Sequence, residues 1–281
     1  MARWPRGAGA GALSSSLRGA PRLVATDLDG TLVRSDGTVS DRSRAALALV
    51  EQAGALLVLV TGRPPRWMAP IVAQTGHRGV AICANGAVVY DLHAERVLEE
   101  HLMSPAAAAA VVSALRAAIP GVSFAVERGV RGFGHEPAYP ARFPPVDVVV
   151  APVEDLVRAP AVKLLVRHAT LDADALLARV EAVAGGLATL THSSQQGLVE
   201  ISALGVSKAS GLERLATGHG IGAPEVIAFG DMPNDLPMLA WAGTSVAVAN
   251  AHPHVLAGAS EVTASNDDDG VARVLERVYG G

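Results

Sequence analysis

Short apolar runs open the patterned part of the chain, and each ends abruptly in polar or glycine-containing residues. Leu23–Thr26 leads into acidic residues, and Ala55–Val60 and Val80–Ala84 end in the same way. Such runs are typical of strands that are buried on both faces of a parallel sheet. Between the first two runs, Asp41–Ala53 has apolar residues near helical spacing, with a serine before it and a glycine after it. The order strand, helix, strand predicts parallel pairing with a right-handed crossover.

The same rhythm returns near the end of the chain. The apolar runs there are Glu225–Phe229, Thr244–Val248 and Glu261–Thr263, and the predicted helices are Asn234–Ala240, His252–Gly258 and Asp269–Val278. Strands that alternate with helices at both ends of the chain predict one α/β sheet built from both.

The middle of the chain has a different pattern. Ala87–Tyr90 and Arg96–Met103 are joined by a polar link, which predicts a hairpin with antiparallel pairing. The further predicted strands are Val122–Val126, Val162–Val166 and Leu187–Leu190, and the predicted helices are Ala106–Ile119, capped by Ser104, and Leu171–Ala184, capped by Thr170. The pattern therefore predicts a core from residues 21–86 and 197–281 and an inserted α+β domain from residues 87–196.

Two segments do not fit a regular element. Gly129–Pro145 is rich in Gly, Pro and Arg, so we expect a long loop that either contacts substrate or is disordered. Residues 1–20 contain arginines and no acid, and they lack the continuous apolar stretch of a secretory signal. They are loosely similar to an organelle transit peptide, but the favoured interpretation is a disordered extension or a start codon assigned too early.

Composition narrows the classes of protein. The 281 residues suffice for one large or two ordinary domains, and 50% hydrophobic with 18% charged residues exclude global disorder. A net charge of -4 without a long basic run argues against a nucleic-acid binder, and we expect no membrane span because no run of about 20 apolar residues occurs. The single cysteine excludes an intramolecular disulfide and favours the cytoplasm. The oligomeric state stays open.

The first candidate for chemistry lies at the carboxyl end of the first predicted strand, where ligands bind in open α/β sheets. Asp27 and Asp29 project toward the same crevice, and like charges so close favour a division of roles. One carboxylate can attack an electrophile such as phosphorus while the other supplies a proton and later activates water. Gly30 frees the backbone to turn near an anion, and Thr31 can donate a hydroxyl hydrogen bond.

Two further segments follow predicted strands or begin helices at the same edge. Thr61, Gly62 and Arg63 follow the Ala55–Val60 run, where a hydroxyl and backbone N–H groups can hold phosphoryl oxygens. Lys208 begins a predicted helix, and its ammonium can hold a phosphate and neutralise Asp27. Each of these taken singly is more often a solvated turn or a surface lysine.

The last segment, Gly230–Asp235, supplies two acids and an amide after a predicted strand. Asp231 and Asp235 with Asn234 favour a hard cation, and Mg²⁺ prefers such oxygen ligands. An acidic helix cap is the alternative for either aspartate alone. Because four such segments lie at matching strand ends, their joint occurrence by chance is improbable.

The four segments resemble the motifs of a known family. DLDGT at residues 27–31, TGR at 61–63, Lys208 in GVSK and GDMPNDLPML at 230–239 are similar to those of the haloacid dehalogenase superfamily phosphatases, specifically Cof-like members with a type IIB cap. The resemblance spans residues 22–281. It implies a Rossmann-like parallel-sheet core with an inserted α+β cap domain, and Mg²⁺-dependent hydrolysis of a phosphomonoester.

The resemblance also implies roles for single residues. Asp27 would be the nucleophile and Asp29 the general acid and base, with Thr61 and Lys208 as further catalytic residues. Metal ligation would fall to Asp27, the backbone carbonyl of Asp29, and Asp231, with Asp235 and Asn234 holding metal waters and Lys208. The expected phosphate- and substrate-binding residues are Gly30, Thr31, Gly62, Arg63, Asn85 and Asn234. Glu200 and Ile201 resemble the family segment by which the chain returns to the core. Ala84 and Ala209 depart from the family pattern without removing a catalytic group.

Other residues carry weaker signals. Cys83 is expected to be a core residue, and His252 with His254 to be a surface turn, because no third metal ligand lies nearby in sequence. Trp67 and Met68 are expected to pack in the core rather than stack on substrate, and Arg66 can help Arg63 attract an anion.

The expected function is Mg²⁺-dependent hydrolysis of a small phosphorylated metabolite, such as a sugar phosphate, a phosphorylated cofactor or a nucleotide. Two alternatives stay open. A phosphomutase or phosphotransferase would use the same aspartyl-phosphate and would differ in its product. A non-catalytic protein that binds a phosphorylated ligand would be expected to lack Asp27, Asp29 or Lys208, and all three are present.

Overall fold

The computed structural model describes residues 19–140, 148–193 and 197–281. The strands in these ranges are β1 (Leu23–Thr26), β2 (Leu56–Val60), β3 (Val80–Cys83), β4 (Val88–Asp91), β5 (Arg96–Glu100), β6 (Ser123–Glu127), β7 (Phe133–His135), β8 (Val148–Val150), β9 (Lys163–Arg167), β10 (Thr189–Thr191), β11 (Leu198–Ser202), β12 (Val226–Gly230), β13 (Thr244–Ala247) and β14 (Glu261–Val262). The α-helices are α1 (Asp41–Gln52), α2 (Ala69–Thr75), α3 (Pro105–Ala118), α4 (Val153–Leu156), α5 (Ala173–Ala184), α6 (Lys208–Gly218), α7 (Leu236–Trp241), α8 (Pro253–Gly258) and α9 (Gly270–Tyr279).

The larger sheet, which we call the core sheet, has the strand order β14-β13-β12-β1-β2-β3-β4-β5 within the described residues. The strands from β14 to β3 pair in parallel, because helices carry the chain back between them. Helix α1 packs against α9, and α6 packs against α7. The predicted α/β class with a parallel-sheet core is confirmed.

The smaller sheet, which we call the cap sheet, has the order β10-β11-β9-β6-β7-β8 in the described ranges. Its pairs are antiparallel except β7 with β8. Alternate side chains separate its two faces: Phe124, Leu164 and Val199 lie in an apolar cluster with residues of α3 and α5. The residues between them, such as Lys163 and Glu200, face the core instead.

The sheets do not divide the chain at the predicted limits of residues 87 and 197. The hairpin β4–β5, predicted within the inserted domain, extends the core sheet because β4 pairs with β3. Conversely β11, predicted within the core, pairs with β9 and β10 of the cap sheet. The apolar pattern of a strand predicts that it is buried, but it does not specify which sheet it joins.

Local differences concern the least regular segments. Gly129–Pro145 was expected to lack regular elements, but it contains a 3-10 turn at Gly129–Arg131 and β7, which is stabilised by pairing with β6 and β8. Helix α5 is capped by Asp172 rather than Thr170, since the Asp172 side chain accepts a hydrogen bond from the backbone of Ala175. Residues 1–18 and 141–147 lie outside the described ranges. In the described part of the chain, each helix is too short or too polar to cross a membrane.

Candidate active site

The ends of three neighbouring parallel strands create the site. β1 is followed by Asp27, β2 by Thr61, and β12 by Asp231, and β1 lies between the other two. Parallel strands place their carboxyl ends at one edge of a sheet, so residues distant in sequence meet there. This is the arrangement that the motif positions predict.

Lys208 joins two of the carboxylates. It is the first residue of α6, whose N-cap Ser207 forms a capping box with Ser210, and its side chain is buried. The Nζ atom donates to Asp27 Oδ1 at 2.5 Å and to Asp235 Oδ1 at 2.6 Å. Burial by itself would lower the pKa of Lys208, but the two carboxylates outweigh it and raise that pKa above its ordinary value. The ammonium therefore stays charged.

Three buried aspartates form the acidic part of the site. Carboxylate oxygens of Asp27, Asp231 and Asp235 lie within 4.8 Å of one another, and among the described residues no other His, Cys, Asp or Glu group has metal-site geometry. Burial raises the pKa of Asp27 well above its ordinary value, against the opposing effect of Lys208. Burial and the neighbouring Asp235 raise the pKa of Asp231 to about 7. One ammonium cannot neutralise three carboxylates, so the cluster suits a divalent cation.

The loop after β1 packs directly on this cluster. Thr31 Oγ1 donates to Asp231 Oδ1 at 2.8 Å. Gly30 has φ +84°, and a Cβ atom there would collide with Asp231 Oδ2. Asn250, which the sequence analysis did not single out, donates from Nδ2 to the Gly30 carbonyl at 2.8 Å. A glycine is required here both by the backbone conformation and by the close approach of Asp231.

Asp29 lies apart from the acidic cluster and pairs with Arg63. The guanidinium donates from Nε to Asp29 Oδ2 at 2.7 Å and from its terminal nitrogen to Oδ1 at 2.5 Å. The Asp29 side chain is half exposed, and both residues line the pocket described below. Arg63, predicted to bind phosphate, thus occupies both carboxylate oxygens of the predicted acid and base.

The turn after β2 contacts the turn after β3. Thr61 is buried, and its Oγ1 accepts a hydrogen bond from the backbone N–H of Arg63 at 3.0 Å. Its carbonyl accepts from the backbone N–H of Asn85 at 3.0 Å. Asn85 has a left-handed backbone with φ 56°, which asparagine tolerates better than most residues. Its Oδ1 accepts from Asn234 Nδ2 at 3.1 Å, so two predicted binding residues are in contact.

A cavity of about 250 Å³ separates the core sheet from the cap sheet. Its core wall includes the predicted site residues Asp27, Asp29, Gly62, Arg63 and Asn234, together with Pro64, Arg66, Trp67 and Met232. Among the described residues, its cap wall includes Glu127, Phe133, Tyr139, Pro140, Lys163, Leu165, Arg167, Ser193, Leu198 and Glu200. The residues that are predicted to carry out the chemistry therefore line the core side of this pocket, and residues of the cap line the opposite side.

Comparison with known proteins agrees with this geometry. A family model described as haloacid dehalogenase-like hydrolase matches residues 24–275. The chain belongs to the haloacid dehalogenase-like hydrolases. A pyridoxal phosphate phosphatase of Escherichia coli is 32% identical over 90% of this chain and 97% of its own length. A 5-amino-6-(5-phospho-D-ribitylamino)uracil phosphatase of Bacillus subtilis is 27% identical over 92% of this chain and 98% of its own.

The solved structures lead to the same family. A phosphatase of the haloalkanoate superfamily from Bacteroides thetaiotaomicron superposes with a TM-score of 0.78 at 26% identity, covering 94% of this chain and 99% of that one. The resemblance to Cof-like phosphatases that the four motifs carry is confirmed, and this haloacid dehalogenase-like hydrolase is a phosphomonoester hydrolase.

The cap wall of this hydrolase contains residues that the sequence analysis missed. Lys163, Arg167 and Tyr139 were not singled out, and Glu200 was noted only for its place at the return of the chain. The missed signal is the alternation along β9, where Lys163, Leu165 and Arg167 line the pocket while the intervening residues are buried in the cap. Two charged residues on the same face of an otherwise apolar strand, here four positions apart, indicate a face that is turned toward a polar site.

Arg66 links the two walls. Its guanidinium donates to both carboxylate oxygens of Glu127, on β6, and to the Gly129 carbonyl at 2.8 Å. It also lies 5.5 Å from the centre of the Trp67 ring. Met68 is buried as predicted, but the core position predicted for Trp67 is wrong, because this side chain is partly exposed and lines the pocket.

The remaining candidates lie outside the pocket. Cys83 is fully buried in β3, as expected of a core cysteine. His252 forms the N-cap of α8, and its Nε2 lies 3.6 Å from Asp174 Oδ2 on α5.

Proposed function

We propose that this hydrolase is a Mg²⁺-dependent phosphatase that forms an aspartyl-phosphate on Asp27 and releases inorganic phosphate from a small phosphomonoester. The observation that carries the proposal is the position of Asp27. It lies at the floor of the cavity, its Oδ1 is held at 2.5 Å by Lys208, and it belongs to the buried acidic cluster.

The donor set fits Mg²⁺. Asp27, Asp231 and Asp235 offer oxygen ligands within 4.8 Å of one another, and hard oxygen ligands are those that Mg²⁺ prefers. The raised pKa values of Asp27 and Asp231 reflect burial among like charges, which a divalent cation relieves. When bound, the ion supplies positive charge that lets a phosphate dianion approach the carboxylates.

The proposed first step is a displacement at phosphorus. A carboxylate oxygen of Asp27 bonds to phosphorus and the bond from phosphorus to the ester oxygen breaks. Asp29, released from Arg63 and protonated from solvent before this step, donates its proton to that oxygen. In the second step a water attacks the same phosphorus while Asp29 takes its proton. The bond to Asp27 then breaks, which releases phosphate and restores the carboxylate. Lys208 keeps the carboxylate of Asp27 oriented throughout.

The pairing of Asp29 with Arg63 has a consequence for these steps. Both oxygens of Asp29 accept hydrogen bonds from Arg63, so neither can reach a leaving group until the guanidinium turns away. A phosphate dianion in the pocket is the natural competitor for the same guanidinium. Arg63 would thus exchange Asp29 for the substrate when the pocket fills.

The size of the cavity favours a small metabolite. About 250 Å³ lies below the usual range of roughly 300–1,000 Å³ for ligand pockets, so a compact leaving group fits best. The relatives named above act on pyridoxal phosphate and on 5-amino-6-(5-phospho-D-ribitylamino)uracil. We therefore include sugar phosphates, phosphorylated cofactors and nucleotides as the substrate classes to assay.

The test is phosphate release from such a panel, with Mg²⁺ or with EDTA, by the wild type and by Asp27→Asn. The change keeps the size of the side chain and removes the nucleophile, so we expect release to fall by about a thousandfold or more. Asp36→Asn, which alters an exposed aspartate, serves as the matched control and should behave as the wild type. Normal release by a folded Asp27→Asn protein would refute the proposal, and an isomerised ester instead of free phosphate would identify a phosphomutase.

A further inference from the structure

The cap sheet contributes a buried ion pair to the pocket. Lys163 on β9 and Glu200 on β11 are each 4% exposed, and Lys163 Nζ donates to Glu200 Oε2 at 2.7 Å. Removing two charges from water costs free energy that their attraction often fails to repay, so such a pair is weak evidence of a role in stability. Its contacts with the core indicate a different role.

Both members of the pair reach across to the core. Lys163 Nζ donates to the carbonyl of Gly62 at 2.8 Å, in the turn after β2. Glu200 Oε2 accepts a hydrogen bond from Asn85 Nδ2, in the turn after β3. Its other oxygen, Oε1, accepts from Ser193 Oγ at 2.6 Å. The positive charge of Lys163 and these hydrogen bonds together hold the pKa of Glu200 below its ordinary value, against the effect of burial, so it is an acceptor only.

An acceptor at this position decides which way the Asn85 amide points. A carboxylate can face the NH₂ group of an amide but not its oxygen, so the Asn85 NH₂ turns to Glu200 and Asn85 Oδ1 turns away. That oxygen accepts from Asn234 Nδ2 at 3.1 Å. A side chain at Gly62 would crowd it, since a Cβ atom there would lie 3.2 Å from Asn85 Oδ1.

The orientation of the Asn85 amide in turn fixes the orientation of the Asn234 amide. With its NH₂ directed at Asn85, its own Oδ1 is left as an acceptor, and this buried atom has no hydrogen-bond partner among the described residues. Asn234 lines the pocket, one residue before Asp235 of the acidic cluster. A buried acceptor without a partner is costly unless a ligand or its water fills the place.

We propose that Lys163 and Glu200 are positioning residues of the cap that set the orientation of Asn85 and, through it, of Asn234 Oδ1 in the pocket. Lys163 fixes the carboxylate of Glu200 and ties it to the turn at Gly62. The position of the cap sheet on the core thereby determines how the side-chain amides of Asn85 and Asn234 are oriented. This role rests on the phosphatase proposed above, in which Asn234 lines the pocket that would receive the substrate.

Glu200→Gln tests the chain of contacts, because a glutamine can offer either an acceptor or a donor to Asn85. We expect kcat/KM for the best substrate of the panel to fall by roughly 10- to 100-fold, the size typical of residues that orient a ligating group. Lys163→Met should lower it similarly, and Lys163→Arg should restore part of it. The matched control is Glu136→Gln, which breaks a buried cap ion pair with Arg116 away from the pocket. It should lower the melting temperature and leave kcat/KM of the folded enzyme unchanged.

A double-mutant cycle distinguishes positioning from a structural role. Asn85→Gly removes the intermediate amide at a backbone conformation that glycine tolerates. If Glu200 acts through Asn85, Glu200→Gln should have no further effect on kcat/KM in that background. Additive losses would overturn the proposal.

A second measurement does not depend on activity. The side-chain amide resonances of Asn85 and Asn234, observed by ¹⁵N NMR, should both shift in Glu200→Gln and stay in place in Glu136→Gln. Unmoved Asn234 resonances would overturn the positioning role even if the enzyme proves active. A wild type that hydrolyses nothing, with Asn234 resonances that still respond to Glu200→Gln, would refute the phosphatase proposal and leave the chain of contacts intact.

Discussion

Arg63 and Asp29 form a two-point ion pair, with hydrogen bonds of 2.5 and 2.7 Å, in the core wall of the pocket. In Arg63→Ala the carboxylate of Asp29 is released and the pocket loses a cation that faces the substrate. We expect KM for a phosphomonoester to rise by roughly 10- to 100-fold, as for the loss of one charged hydrogen bond, and kcat to change less. Separate determination of kcat and KM checks this, with the exposed Arg78→Ala as control. An unchanged KM would mean that Arg63 serves only to hold Asp29.

The acidic cluster makes the stability of the metal-free protein dependent on pH. Burial raises the folded-state pKa of Asp231 to about 7, above its value in the unfolded chain, so the folded state binds more protons between the two values. Stability without metal therefore falls as the pH rises toward about 7. We expect Asp231→Asn to raise the melting temperature in EDTA by about 2 to 5 °C at pH 8 and to have little effect at pH 4.

Added Mg²⁺ separates this effect from a general stabilisation. The wild type should melt at a higher temperature when Mg²⁺ is present, because the ion binds the folded state, whereas Asp231→Asn should respond little. Equal responses of the two proteins to Mg²⁺ would argue against Asp231 as a ligand.

A comparison of two glycines with the same backbone φ angle can separate the effect of backbone strain from the effect of a steric collision. Gly30 and Gly37 both have φ +84°, but a Cβ atom at Gly30 would collide with Asp231, whereas one at Gly37 would meet open space. Alanine at either position should cost about 1 kcal/mol in the free energy of unfolding, from the left-handed backbone. Only Gly30→Ala should also lose activity, by roughly a hundredfold, because it displaces the carboxylate of Asp231, a proposed metal ligand. Denaturant unfolding and phosphate release together test this, and equal activities would contradict it.

Cys83 should be chemically inert in the folded protein. It is fully buried, and burial raises its thiol pKa well above the ordinary value. The unfolded chain loses this proton above about pH 8.5, while the folded state keeps it, so the stabilisation is present below that pH and is lost as the pH rises further. A thiol reagent at pH 8 should label the native protein slowly and modify one cysteine after denaturation. Fast labelling of the native protein would show that β3 opens readily.

The chemistry of the core was more predictable than the walls of the pocket. Asp27, Thr61 and Asp231 follow continuous apolar runs, and the rule that ligands bind at the carboxyl ends of parallel strands places them together without further information. The membership of the hairpin β4–β5 in the core sheet could not be predicted in this way. The polar link between its two runs predicts a hairpin, but the strand that the hairpin pairs with is decided by packing between residues that are distant in sequence.

Lys163 and Glu200 show why the pocket residues of the cap were harder to predict from the sequence. Their partners lie far along the chain, and a buried ion pair leaves only two isolated charges within apolar strands. A charge in such a strand is equally consistent with an exposed edge. Similarly, β7 lies in a glycine-rich segment whose local preferences oppose a strand, and it depends on β6 and β8 for its hydrogen bonds.

The pairing of β1 with β12 also orders events during synthesis on the ribosome. The described strands of the cap sheet lie between Ser123 and Ser202, so they leave the exit tunnel before β12. Thr31 can contact Asp231, 200 residues later in the chain, only after β12 and the residue that follows it have emerged. A nascent chain that ends before β12 contains all the described strands of the cap sheet, but β1 lacks its neighbour on one side. Unpaired strand edges are prone to aggregation, and a product that is truncated before β12 lacks Asp231 and Asp235 and so cannot form the acidic cluster.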